Sequence, residues 1–376
     1  MQNKIISKAP GRVCLFGDHQ DYLGLPIIAT TIDKEITIEA IKNNTQEFKI
    51  FKKDLDIHDS ISLNQNISSD EKDFLRIALR VLKKYDCIPN EGYDIEIKSE
   101  IPINSGLSSS SALIVAWVNF LLSTFSDKSI SPKILADLSY EIEVLEMNGS
   151  GGKMDQYTIA SGKTIFLDTK SNKIESFDHN LCDMIIGVSN KPKDTQGLLR
   201  KLKENSLKSI ETVKDRLTDF NLYDEENINI ISHLDFLEDY LKPYFKAAVG
   251  NYKITMDAKQ EFLNSNLNIN KISELMNSHH NYLKDDLKIT TPEIDKMIDV
   301  SLENGAVGSK IVGSGGGGSI VSLSTNSNTS NKIVSELKSI GVKDAFIARK
   351  GNGPTIYHDI FHDYMAAVYH QDEGFF

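Results

Sequence analysis

The sequence predicts a two-domain protein that mixes strands and helices, on three observations. Its 376 residues are too many for one ordinary core and suit two. Residues 1 to 90 read mainly as strands, whereas Thr195 to Asn281 carries the Lys, Glu and Leu periodicity of helices. A smaller α/β layer then closes the chain, with a strand at Ser319–Leu323, a helix at Ile333–Ser339 and a strand at Ala345–Ala348.

Each element has a local reason. In Glu35 to Ala40 the apolar Ile36, Ile38 and Ala40 alternate with polar residues, as a half-buried strand requires. Tyr93, Ile95 and Ile97 repeat the pattern. Pro102, a turn at Asn104–Gly106 and four serines then lead into ALIVAWVNFLL, which is strand, tight loop, buried helix. Trp117 falls in that helix and is expected in the core. Another helix should begin with Ser131 as N-cap and Pro132 in its first turn. Its Ile134, Leu138, Ile142 and Leu145 would form one apolar stripe, ended by the glycines of Asn148–Gly152. A strand at Thr164–Leu167 should follow. Ser324 to Asn331 (STNSNTSN) is expected to be an exposed loop. With no repeat and no long linker, the division is placed near residue 190, giving domains 1–190 and 191–376. The terminal MAAVYHQDEGFF has no assigned role.

Composition narrows the function. Apolar residues make up 40% and charged residues 25%, and the net charge is −11. Such an acidic balance argues against nucleic acid or an anionic membrane as partner, since either needs a basic face. It does not argue against ATP. The start MQNKIISKAPGR has no apolar run after a basic stretch, so no secretory leader is expected. Ala112 to Leu122 is broken by Asn119 and too short to span a bilayer. Cys14, Cys87 and Cys182 are few and scattered, which fits free thiols in a reducing cytoplasm.

Four segments carry candidate chemistry. In IPINSGLSSSSA (Ile101 to Ala112), unpaired amides at a helix start make an anion site, and Gly106 admits a phosphate to the backbone. Taken alone, this is also how an ordinary cap looks. In APGRVCLFGDHQDYLG, the residues Asp18, His19, Asp21 and Tyr22 crowd one loop, which suits a polyhydroxy ligand or a solvated turn. Arg12 stands just before that strand, within reach of a phosphate. In NGSGGKMDQYTIASG, Asp155 could take a proton from a hydroxyl, or simply cap a helix. In GSKIVGSGGGGSIVSL, the glycines permit close backbone approach to a ligand or another loop.

Together and in this order the segments resemble the GHMP kinase superfamily, with most similarity to galactokinases. GRVCLFGDHQDY is similar to the galactokinase signature GRVNLIGEHTDY. The serine loop resembles the ATP motif P-x-G-x-G-L-[GS]-S-S-A, with Pro102, Gly106, Leu107, Ser109, Ser110 and Ala112 in place. Met154–Gln156 looks like the galactokinase MDQ, and Gly308–Gly318 like the third family motif. His279 to Asp295 is similar to a further galactokinase stretch. The resemblance implies an α+β fold with a ribosomal-protein-like N-terminal domain, a ferredoxin-like C-terminal domain and the active site in the cleft between.

It also implies a cytoplasmic ATP- and magnesium-dependent kinase acting on a galactose-like sugar, sugar acid or pentose, at an anomeric hydroxyl. A heptose phosphate or non-sugar alcohol kinase, or a non-catalytic sugar sensor, are the alternatives. By the same resemblance Asp155 and Arg12 would be catalytic. Asp18, His19, Asp21, Tyr22 and Gly152 would bind the acceptor. Asn104, Ser105, Gly106, Leu107, Ser108, Ser109, Ser110 and Ser111 would bind ATP. Ser110 and Glu143 would hold Mg²⁺, and Gly313, Gly315, Gly316 and Gly317 would form the structural glycine loop. Asp18 stands where the signature has Glu, Asn104 where the ATP motif has Gly, and Ser111 where it has Ala. After Val188 the arginine-rich galactokinase segment is replaced by SNKPKDTQGLLRK, which leaves the sugar open.

Overall fold

The computed structural model describes residues 4–179, 181–191, 196–217, 220–223 and 230–359. The first domain opens with the long strands β1 (Lys4–Phe16) and β2 (Ile27–Lys42). The strands β3 (Glu47–Lys52) and β4 (Ile57–Ser62), helix α1 (Phe74–Lys83) and strand β5 (Tyr93–Ser99) follow. Helices α2 (Ser109–Phe125), α3 (Pro132–Tyr140) and α4 (Met154–Ser161) then precede strands β6 (Thr164–Asp168) and β7 (Lys173–Phe177). The second domain runs from strand β8 (Asp183–Val188) through helices α5 (Gln196–Arg216), α6 (Ile230–Leu234), α7 (Lys242–Leu263), α8 (Ile269–Asn281) and α9 (Pro292–Glu303). Strands β9 (Gly308–Val312) and β10 (Ser319–Ser324), helix α10 (Ser327–Ser339) and strand β11 (Asp344–Ala348) complete it, and strand β12 (Thr355–Asp359) returns to the first domain.

Two sheets result. The first has the order β12-β1-β2-β5-β3-β4, with β6 beside β2 and β7 beside β6. The second is β11-β8-β10-β9, antiparallel throughout. Thus β8 already belongs to the second sheet before residue 190, and β12 brings the chain back to the edge of the first. Helix α2 is apolar nearly all round and is accordingly buried, with Trp117 at its centre donating its indole N–H to the Leu75 carbonyl at 3.1 Å. Among the described residues no helix is long and apolar enough to cross a membrane.

Two local expectations fail for identifiable reasons. The stripe Ile134, Leu138, Ile142, Leu145 forms only at its centre: Leu138 and Ile142 are buried, but Ile134 is 44% and Leu145 55% exposed, while Leu135 and Val144 are buried instead. After Tyr140 the chain passes into a π-helical turn, Glu141–Leu145, closed by the Glu146 amide on the Glu141 carbonyl at 2.9 Å. The wider turn rotates the following residues off the α-helical period and carries Glu143 towards the cleft. The supposed loop at Ser324–Asn331 is already helical from Ser327, because the Asn326 side chain accepts the Thr329 amide at 2.9 Å and caps α10. Ser131 caps α3 as expected, through the Ile134 amide.

Candidate active site

A cleft of ≈ 550 Å³ opens between the domains. Three first-domain segments and the glycine loop build it, and each is held there by backbone chemistry that the sequence specifies locally. The segment after β1 turns at Gly17, whose φ of 90° and contact with the Pro26 carbonyl leave no room for a side chain. His19 follows with φ 63°, and its Nδ1 lies 3.1 Å from the Tyr22 hydroxyl. Burial pushes the His19 imidazole down to about 4, so it is neutral near pH 7.

The serine loop bends through Asn104 (φ 58°), Gly106 (φ 85°) and Ser108 (φ 60°) into α2. Asn104 tolerates the left-handed region better than most residues, which explains how the turn survives without glycine. The serines then divide. The Ser105 hydroxyl is spent on the Pro102 carbonyl at 2.6 Å. Ser108 donates to Asp155 Oδ2 at 2.6 Å, with Ser111 at 3.5 Å. Ser110 is exposed and donates to Glu143 Oε1 at 2.9 Å. Gly106 backs onto the second domain, where a Cβ would meet the Val312 carbonyl oxygen at 2.7 Å.

Consecutive residues in the first turn of α4 reach both ends of the cleft. Asp155 accepts from Arg12 Nε at 2.8 Å, with Nη2 at 2.7 Å, while Arg12 Nη1 donates to the Gly106 carbonyl at 2.6 Å. Burial works against the Arg12 charge, but Asp155 outweighs it and raises the guanidinium above its ordinary value. Gln156 donates to Glu143 Oε2 at 2.6 Å, so Glu143 is fixed from two sides. Burial and then Asp155 push the Glu143 carboxyl up. Lys153 does not join the cluster, because its ammonium donates to Asn172 Oδ1 and the Thr169 carbonyl.

Asp21 is held at the cleft by backbone amides. Its carboxylate accepts the Tyr22 amide at 3.0 Å and the Met154 amide at 3.2 Å. A Cβ at Gly152 would lie 2.2 Å from it, so only glycine fits there. The glycine loop packs opposite: Gly313, Gly315, Gly316 and Gly317 all have positive φ, and the Gly316 amide donates to the Ile289 carbonyl at 2.8 Å.

The structure therefore brings Arg12, Asp18, His19, Asp21, Tyr22 and Asn104 to the cleft wall. Ser110, Glu143, Gly152, Asp155 and Gly313 join them. Ser105, Gly106, Leu107 and Ser108 lie buried at the base of the serine loop instead of lining the wall.

Family models match three stretches of the chain. The model for the GHMP kinases N terminal domain matches residues 73–163, that for GHMP kinases C terminal matches 261–343, and the galactokinase galactose-binding signature matches 1–42. The chain belongs to the GHMP kinase superfamily. It is similar to a Clostridium perfringens galactokinase, 28% identical over 375 residues with 92% of this chain and 94% of the relative covered. It is also similar to a Pyrococcus abyssi mevalonate kinase, 27% identical over 337 residues with 86% and 89% covered. The fold matches the Lactococcus lactis galactokinase complexed with galactose at a TM-score of 0.80, with 24% identity and 94% and 95% covered. It matches the Methanococcus jannaschii mevalonate kinase at 0.70, with 24% identity and 92% and 98% covered. This GHMP kinase is thus a phosphotransferase with an alcohol group as acceptor, and its family uses ATP as donor.

Several residues of this kinase that shape the cleft escape a reading of motifs. Lys310, His279, Gln156, Ser314 and Arg200 each lie in a segment quoted from the sequence, but pattern alone gave none of them a role there. The one available signal was a lysine inside the apolar strand GSKIV, which is costly unless partnered. Arg200 comes from α5, which packs on the Asp21–Leu23 turn, and so lines the cleft beside it.

Asp21 gives a pH-dependent prediction. Burial first, and then the Asp155 charge, lift its carboxyl to about 6. The folded chain then holds that proton more tightly than the unfolded chain, so the group's contribution to stability falls as pH rises from about 4 to about 6. The penalty stands in full above that window. Asp21→Asn should raise stability by on the order of 1 kcal/mol at pH 8 and leave it unchanged at pH 4. Denaturant midpoints at the two pH values check this, and an equal shift at both would count against it.

Proposed function

We propose that this cytoplasmic GHMP kinase transfers the γ-phosphoryl group of ATP to a hydroxyl, the anomeric one, of a galactose-like sugar, sugar acid or pentose. The observation that carries the reading is Asp155, which stands between the serine loop and the Asp18–Tyr22 loop with its carboxylate gripped by Arg12 and Ser108. A hydroxyl placed beside Asp155 would face both the acceptor-binding side chains and the phosphate end. In the transfer, the bond from the γ-phosphorus to the ADP oxygen breaks and one to the acceptor oxygen forms. The hydroxyl proton leaves to Asp155 or to the transferred group. With Arg12 already paired to Asp155, orienting the hydroxyl is that carboxylate's larger contribution. Arg12 offsets charge on the phosphoryl group from a fixed position.

The amides at the start of α2 suit the triphosphate, while Phe74, Val144 and Met147 line the cleft and offer apolar surface to the base. Ser110 and Glu143 fit Mg²⁺: magnesium commonly takes one or two carboxylates with substrate phosphates and needs no all-protein cage. When bound, it would neutralise charge on the β- and γ-phosphates. Arg200, 71% exposed on its side chain and 4.0 Å from Glu204, favours an acidic acceptor over a neutral one.

ADP release with Mg-ATP tests the reading. The panel holds galactose, N-acetylgalactosamine, fucose, arabinose, galacturonate, glucuronate, a heptose phosphate and mevalonate. Turnover on a sugar, sugar acid or pentose is expected, and Glu143→Gln should raise the magnesium concentration needed for it. Turnover on mevalonate alone would make this an alcohol kinase of another branch. No turnover with intact ATP binding would leave a sensor.

A further inference from the structure

We propose that Asp18 is a positioning residue of this kinase and not a reader of the acceptor: paired with Lys310 between the domains, it seats the glycine loop and so places His19 and Ser314 at the acceptor. The inference rests on the reading that this cleft takes the acceptor.

Both charges are withdrawn from solvent, Asp18 being 2% and Lys310 0% exposed. Lys310 Nζ lies 2.7 Å from Asp18 Oδ2 and also donates to the Ile311 carbonyl at 2.7 Å and the Cys14 carbonyl at 3.1 Å. An ammonium buried this deeply persists only with such partners. The other Asp18 oxygen accepts the Gly313 amide at 3.3 Å. Burial by itself would raise the Asp18 carboxyl, but Lys310 brings it below its ordinary value. His279, fully buried and stacked on Phe16, places Nδ1 4.0 Å from Asp18 Oδ2. Burial and then Lys310 hold that imidazole down to about 3, so it adds no second cation.

The pair crosses from the loop after β1 to β9 and the glycine loop. There Gly313 presses on the serine loop, where an added Cβ would meet Gly106 Cα at 3.0 Å. Asp18 therefore holds the glycine loop against the segment that receives phosphate. The next residue along each loop, His19 and Ser314, lines the cleft. His19 Nε2 and Ser314 Oγ are buried and make no well-formed hydrogen bond among the described residues, although the His19 ring lies against the Gly313 and Ser314 backbone. Those two atoms face the acceptor side, whereas Asp18 Oδ2, which makes no further hydrogen bond, is engaged by the Lys310 ammonium at 2.7 Å.

A double-mutant cycle on the full chain decides this. Asp18→Asn, Lys310→Met and the double variant are compared for acceptor KM, kcat and amide exchange of Gly313–Gly318. Each single substitution should raise acceptor KM and exchange by about tenfold, and the double should be no worse than either alone. Lys310 does not line the cleft, so its effect on acceptor KM is what a direct reading role for Asp18 does not predict. Multiplying effects, or a KM change confined to Asp18→Asn, overturn the proposal. Should Lys310→Met not fold, Asp18→Glu keeps the charge and lengthens the reach. It should shift exchange and KM together, and a changed KM with unchanged exchange overturns the proposal. A wild-type chain inactive on every acceptor would remove the functional reading, while exchange in the cycle would still decide the pairing.

Discussion

Asp155→Asn is expected to lower kcat by about 10²- to 10⁴-fold while leaving ATP binding within a few-fold, the range for loss of a positioned proton acceptor. The amide keeps the volume but turns one acceptor atom into a donor. Asp155 Oδ1 now accepts from Arg12 and Oδ2 from Ser108, so the amide nitrogen either opposes the Arg12 donors or turns the Ser108 hydroxyl from donor to acceptor. The acceptor hydroxyl would lose its partner at the same time. Steady-state kinetics on the best acceptor, with nucleotide affinity measured separately, check the effect. A loss of less than about tenfold would remove Asp155 from the centre of the chemistry.

Arg12→Met should be damaging in two ways. Arg12 is 5% exposed, and its fork joins β1, the serine loop and α4 through Asp155 and the Gly106 carbonyl. Removing one partner of a buried ion pair costs about 3–5 kcal/mol, because the other charge is left behind. The Asp155 side chain retains 30% exposure, so water relieves part of that, and about 2–3 kcal/mol is expected. The kcat should also fall by about 10³-fold, as for loss of an arginine that stabilises a transferring phosphoryl group. Arg12→Lys should not restore either quantity, since one ammonium cannot reproduce a guanidinium fork. Denaturant unfolding and turnover read the two effects, and a stable, active Arg12→Met would refute the assignment.

The expected strands recur because their information is local. The alternation at Ile36, Ile38 and Ala40 places one face of β2 in the core whatever surrounds it. The same holds for Ser131 and Pro132, whose side-chain cap and fixed backbone angle start α3 without tertiary help. Missed elements were those where a single residue altered the period or the boundary. The π turn at Glu141–Leu145 moved Leu145 outward, and the Asn326 cap started α10 inside a stretch that composition describes as loop.

Within the cleft, the sequence by itself marked the candidate segments, since close-approach glycines, serine-rich helix starts and clustered polar loops are written in consecutive residues, while their meeting was implied only by the family resemblance. Only the tertiary structure decided what each side chain does there. It sends Ser108 to Asp155 and Ser110 to Glu143, although the two stand two positions apart in one motif. It also turns Asp18 towards Lys310, which lies 292 residues away along the chain. The reason is physical: a hydrogen bond or ion pair depends on distances of a few ångströms between segments far apart in sequence, and local pattern carries no such distance. Burial then fixes the outcome, because a charge removed from water must take whichever partner the fold brings to it.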